Sequence, residues 1–96
     1  MKNSFIINRS DDVVTLTKII KEGEDIIFIM NGKEIAIKAL EDIPLYHKAA
    51  IKDIKEGDKV HKYGEVIGYA TNDIVSGQHV HEQNLSDLVK KEVGKA

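Results

Sequence analysis

Apolar residues fall along this chain in short runs, separated by polar stretches built around glycine, and most of the runs read with the spacing of strands. Residues 4–8 (SFIIN) predict a short strand, followed by a loop over Asn8–Asp12. Val13–Leu16 is β-branched and predicts a second strand. Leu16, Ile19 and Ile20 stand at i, i+3 and i+4 with Gly23 beyond them, so this strand should run on into a tight turn or a single helical turn. Asp25–Met30 and Lys33–Ala39 flank Asn31-Gly32, a pair that tolerates positive φ at both centres of a type I′ turn. A two-residue loop fixes the register, setting Met30 against Lys33, Phe28 against Ile35 and Ile26 against Ile37. Ile26, Phe28, Ile35 and Ile37 then share the core face, and Glu34 lies on the other face opposite Ile29.

One short pattern recurs. Ile20-x-x-Gly23-x-x-Ile26, Ile54-x-x-Gly57-x-x-Val60 and Ile74-x-x-Gly77-x-x-Val80 each place an aliphatic residue, a glycine and a β-branched residue at intervals of three. The reading is a turn device: the isoleucine plugs the core, glycine takes positive φ, and a strand begins near the final residue. Unequal separations between the copies exclude a solenoid. Between the second and third copies, Gly64 and Gly68 interrupt a strand-like run and mark bends or close backbone approach. After Asn84 the spacing changes to helical. Leu85, Leu88, Val89 and Glu92 share one face, Asn84 or Ser86 can cap it and Gly94 can close it, which predicts a short C-terminal helix.

Composition narrows the function. Ninety-six residues make one small domain, with no cysteine to supply a thiolate or a zinc ligand. The N-terminus lacks an apolar leader segment, and no window approaches the roughly 18 apolar residues of a membrane span. A cytoplasmic protein without membrane contact is expected. Net charge is −2, and Asp53, Glu56 and Asp58 lie among Lys48, Lys52, Lys55, Lys59 and Lys62, so no cationic face for nucleic acid is expected.

Chemistry-bearing residues concentrate in 43–84, which holds all four histidines. His79-Val80-His81 is the sharpest feature. On a strand its two imidazoles project to one side about 7 Å apart while Val80 faces the core. That pair can supply two metal ligands, or it can be two polar residues on a wet face. His47-Lys48 follows Pro44, where an imidazole beside a cation can meet a carboxylate or be held neutral, or simply lie in a loop. Lys62-Tyr63-Gly64 offers a cation and a phenol at a bend.

Read together, His47-Lys48-x-Ala50, Asp53-Ile54-x-x-Gly57, Lys62-Tyr63-Gly64-x-x-Ile67-Gly68-x-Ala70 and Asp73-Ile74-x-x-Gly77-x-His79-Val80-His81-x-x-Asn84 resemble the SAF domain of the altronate and galactarate dehydratase family. With a looser N-terminal half, the likeness covers about residues 4–90, so 1–96 reads as a single SAF domain. Two positions depart from the family pattern: Tyr46 stands where glycine often precedes His-Lys, and Gln83 where a third histidine often precedes the asparagine.

The resemblance implies a mainly β fold, a SAF-type β-clip, to which the C-terminal pattern adds a short helix. It implies a small subunit of a hydro-lyase that removes water, or sulfite, from a sugar acid or related hydroxy acid. A separate large catalytic subunit and a divalent metal, iron(II), belong to that picture, with weak metal affinity in the isolated chain. On this reading His47, Lys48, Lys62 and Tyr63 are the catalytic candidates, His79 and His81 the metal ligands, and Asn84 a substrate contact. All but Asn84 should converge on one surface. Two other classes stay open: a stand-alone β-clip module binding a carboxylate or a protein, and a structural domain that forms homo-oligomers.

Overall fold

A computed structural model describes residues 2–87. Among these residues, nine strands form three small antiparallel sheets. The central sheet has the order β1-β2-β5-β8, from Ser4–Phe5, Val13–Leu16, Lys48–Ala50 and His79–Val80. Asp25–Met30 (β3) and Lys33–Lys38 (β4) form a hairpin; Lys59–Lys62 (β6), Glu65–Ala70 (β7) and Leu85–Ser86 (β9) form the third sheet.

Alternation along the central strands explains how so short a chain builds a core. Val13 pairs with Ala50 and Val14 with Ala49, and paired residues share a face. Val14, Leu16 and Ala49 pack into one cluster with Ile20, Ile26, Phe28, Ala39 and Ile43. Val13, Ala50 and Val80 pack into a second, with Ile54, Val60, Ala70 and Ile74. The central sheet is therefore covered on both faces, which is why Val13–Leu16 is buried at every position.

The hairpin takes the expected register at all named pairs, with Phe28 opposite Ile35 and Ile29 opposite Glu34. Asn31 and Gly32 carry φ of 54° and 76°, the two positive values of a type I′ turn. Ile26 and Phe28 are buried, while Ile35 and Ile37 pack on the same cluster from its edge. The stretch after β2 is a turn, and Ile19 lies exposed although its neighbour Ile20 is in the core.

The recurring turn behaves as expected. Gly23, Gly57 and Gly77 have φ of 89°, 89° and 97°, and β3, β6 and β8 begin two residues after them. The structure adds that the isoleucines bridge in pairs, Ile54 with Ile74 and Ile20 with Ile43. An aspartate before the partner isoleucine caps each turn: Asp42 accepts from Glu22 N, Asp73 from Glu56 N and Asp53 from Ser76 N.

The helical expectation after Asn84 is corrected. Leu85–Ser86 is a strand paired to Tyr69 and Ala70 of β7, and no helix occurs among the described residues. Gly68 makes this pairing fit, because a Cβ there would meet the Ser86 carbonyl at 2.7 Å. Burying Leu85 against the second cluster overrides its helical spacing. The remainder of that expected helix, 88–94, lies outside the described residues. No helix among those described is long and apolar enough to cross a membrane.

Candidate functional site

Three of the four histidines meet at the β8 edge of the central sheet. His79 pairs with Ala49 and so leaves the sheet on Ala49's face. His47, two residues before Ala49, and His81, two after His79, follow the same alternation. His47 Nδ1 lies 2.8 Å from His79 Nε2, so one of the two nitrogens carries the shared proton. The His47 ring stacks on His81 with centroids 4.4 Å apart, and His79 and His81 lie nearly parallel at 5.6 Å. One nitrogen from each of the three rings falls within 4.8 Å of the others.

The backbone around the triad is held from several sides. Glu41 Oε2 accepts the His79 N–H at 3.0 Å. Asn84 accepts the His81 N–H at 3.0 Å through its side-chain oxygen and donates its amide to the His79 carbonyl at 2.9 Å. Both ends of the Asn84 amide thus close the turn that orients His79 and His81. Gln83, at the position of the pattern's further histidine, donates to the same carbonyl at 3.2 Å. Burial lowers the His79 pKa, and the neighbouring His47, His81 and Lys48 lower it further against the opposing pull of Glu41. A neutral imidazole is the form that binds a metal or accepts a proton.

Lys48 and Lys62 form a second group. Lys48 pairs with Val80, not His79, so its side chain leaves from the opposite face of the sheet. Burial, then the charge of Lys62, lowers the Lys48 pKa, and Lys48 in turn acts on His79. The Lys62 ammonium sits 4.8 Å above the Tyr63 ring centroid. The expected single surface therefore has two sides: three imidazoles on one face of a sheet edge, and the lysine pair with Tyr63 across it, within electrostatic reach.

His61 stands apart from the triad. Its Nδ1 and backbone N both meet Asp12 Oδ2 at 2.8 Å, and Lys52 pairs with the other oxygen at 3.1 Å. Burial alone would raise the Asp12 pKa, but the bonds from His61 and Lys52 outweigh it and hold the carboxyl below its ordinary value.

Two parts of this arrangement, Glu41 and Asp11, escaped sequence reasoning. His47 was expected on the same surface as His79 and His81, but as a catalytic group and not as the third ring of one cluster. A signal for this existed: Asp42-Ile43 repeats Asp53-Ile54 and Asp73-Ile74, marking a fourth copy of the turn just before His47. Glu41 gave none. Asp11 gave none either, yet its carboxylate accepts the N–H groups of Asn8, Tyr63 and Gly64 at 3.1, 2.9 and 2.7 Å. That carboxylate fixes the β6–β7 turn in which Tyr63 and Gly64 carry φ of 58° and 78°.

The sequence pattern of the altronate/galactarate dehydratase SAF domain matches residues 2–88. Altronate dehydratase of Bacillus subtilis is 36% identical over 92 residues, 92% of this chain and 18% of that protein. Altronate dehydratase of Escherichia coli is 36% identical over 86 residues, 85% of this chain and 17% of that protein. The (2R)-sulfolactate sulfo-lyase subunit alpha of Chromohalobacter salexigens is 30% identical over 91 residues, 88% of this chain and 95% of that subunit. The chain thus spans under a fifth of the altronate dehydratases it matches and nearly the whole of a sulfo-lyase subunit. It belongs to the altronate/galactarate dehydratase SAF-domain family.

Proposed function

We propose that this chain is the small subunit of a hydro-lyase acting on sugar acids of the altronate class, and that it lends its histidine face to an active site completed by a separate large subunit. The observation that carries the reading is the triad itself. Three imidazoles from two distant segments meet within 4.8 Å at the edge of the central sheet, each only partly buried. Likeness to a sulfo-lyase subunit alpha over 95% of that subunit supports the subunit role.

The donor set suits a divalent metal such as iron(II). Three nitrogen ligands grouped on one side leave room for a substrate, and the depressed His79 pKa favours the ligating form. His47, His79 and His81 would hold the ion, which would supply Lewis-acid stabilisation of charge developing beside the substrate carboxylate. This chain's other groups have work of their own. Lys48 and Lys62 attract the carboxylate across the sheet edge, and Tyr63 holds the Lys62 ammonium in place. Without the ion His47 and His79 share a proton, which binding of the ion would displace. Asn84 and Glu41 orient the rings through the His79–His81 backbone.

The test is turnover. The purified chain is assayed against altronate, galactarate and sulfolactate, alone and mixed with the large subunit. The expected result is no dehydration by the chain alone and activity on mixing, lost when His79 and His81 are replaced by alanine in a chain that still folds. Turnover by the isolated chain would overturn the subunit reading.

A further inference from the structure

The loop that delivers His47 is tied to the triad at both ends. Glu41 accepts the His79 N–H at one end, and at the other the His47 ring stacks on His81. Between these anchors, Asp42–Leu45 joins Ile19 and Lys21 to line a groove of about 450 Å³. Ile43 closes its floor, exposed Ile19 and Leu45 flank it, and the Lys21–Asp42 ion pair at 3.7 Å lies on its rim. Tyr46 comes next, 72% exposed and directly before His47.

Tyr46 is also a conformational outlier. Its φ is 67°, and its N–H bonds to Leu16 O as the Gly23 N–H bonds to Ala39 O in a sister turn. The equivalent residues in the three sister turns are Gly23, Gly57 and Gly77, which take positive φ without a Cβ penalty. A large aromatic side chain held in a disfavoured backbone region, in solvent, points to a function for the ring. Exposed aromatics beside an apolar groove are the residues that anchor protein interfaces.

Resting on the subunit reading above, we infer that Ile19, Leu45 and Tyr46 form the docking surface for the large dehydratase subunit. The occupant follows from two observations. A partner completing the site must reach His47, and this strip begins at the adjacent residue. In the altronate dehydratases the segment like this chain is under a fifth of the polypeptide, so a body more than four times larger is joined to it there. Among the other exposed apolar residues described, Ile7 and Ile29 beside Arg9 lie at the β1 edge of the central sheet. That is three strand spacings, about 14 Å, from the β8 edge where the triad sits. Docking at Ile19–Tyr46 would bear directly on the loop whose ends hold the triad.

A photo-crosslinking amino acid placed at Leu45, and separately at Ile29, in the chain expressed in its native cells provides the test, with captured proteins identified by mass spectrometry. The expected adduct forms from Leu45, with a protein homologous to the remaining four-fifths or so of altronate dehydratase. Tyr46→Gly, which restores the residue of the sister turns, should melt no lower than the parent and bind that protein at least tenfold more weakly. Capture of the same protein from Ile29 alone, or unchanged affinity of Tyr46→Gly, would overturn the docking surface and leave the subunit reading standing. Capture of only a second copy of the chain, with no dehydratase homologue from either position, would overturn both.

Discussion

Asp11→Ala should be among the most damaging single changes outside the hydrophobic clusters. The residue is only 1% exposed, and its carboxylate is the acceptor for three backbone N–H groups, from Asn8, Tyr63 and Gly64. Hydrogen bonds to an ionised group contribute about 1.5–3 kcal/mol each. The turn at Tyr63 lies at the surface, where water replaces part of what is lost, so the lower value applies and the three bonds sum to about 4–5 kcal/mol. A domain of this size has roughly 5–15 kcal/mol in total, so the variant should be close to unfolding at room temperature. Asp11→Asn keeps one acceptor oxygen and the shape, and should lose about half as much. Urea unfolding followed by far-ultraviolet circular dichroism measures both, since the chain has no tryptophan to report by fluorescence. A loss below about 1 kcal/mol for Asp11→Ala would mean that the turn does not depend on the carboxylate.

Phe28→Ala removes the largest fully buried side chain and should cost about 3–5 kcal/mol in the same urea assay; a loss near zero would mean its face is misassigned. Acid should destabilise the domain through Asp11 and Asp12. Burial raises both pKa values, but backbone bonds at Asp11, and His61 with Lys52 at Asp12, more than reverse it, so both folded pKa values lie below the ordinary 3.8. Their stabilisation is then complete above the unfolded carboxylate pKa and disappears as pH falls through the folded values, so melting temperature should drop below about pH 4 and drop less in Asp11→Asn. Cobalt(II) or zinc(II) titrated into the isolated chain should bind weakly, and His79→Ala should weaken binding at least tenfold. His61→Ala, which leaves the triad untouched, should not; equal losses in the two variants would remove the triad from metal binding.

Local signals in the sequence proved reliable where the chain interacts with its near neighbours. Asn31-Gly32 sets its own turn conformation, and the two-residue loop then dictates every pair of the hairpin. The three glycine turns were equally legible, because positive φ is a property of the residue itself. The failure after Asn84 has the opposite cause. Leu85 and Ser86 have no strong strand preference, and only Gly68 on a distant strand, which opens space for the Ser86 carbonyl, makes a strand of them. The site divides in the same way. His79 and His81 were visible as a pair because their spacing lies within one strand. His47 was expected on the same surface, but its contact with His79 depends on β5 lying beside β8, a pairing between residues 32 apart whose register no spacing within one strand gives. The separation of Lys48 from the triad follows from the same pairing. A one-residue difference in register decides whether Lys48 or Ala49 stands opposite His79.

The turn before His47 shows how a structural device gives rise to a site. In two sister turns the residue after glycine folds its side chain back onto the turn: Glu24 accepts the Lys21 N–H at 2.7 Å, and Gln78 accepts the Val75 N–H at 2.6 Å. The fourth copy keeps the frame. Asp42-Ile43 repeats the aspartate and core isoleucine, Ile43 bridges Ile20, and the His47 N–H closes on Pro44 O as Glu24 N–H closes on Lys21 O. Three of its differences bear on the site. Pro44 occupies the position of Lys21 and Val75 and has no N–H to offer. His47 occupies the position of Glu24 and Gln78, and with no donor to satisfy, its side chain is released from the turn. Tyr46 takes the glycine position and keeps the positive φ. The backbone still delivers its next residue to the start of a strand, but the side chain that closed the turn elsewhere is here an imidazole turned toward His79 and His81. The proline that frees His47 and the tyrosine that projects beside it are thus two substitutions in one repeated turn, and both act on the edge of the sheet where the chemistry collects.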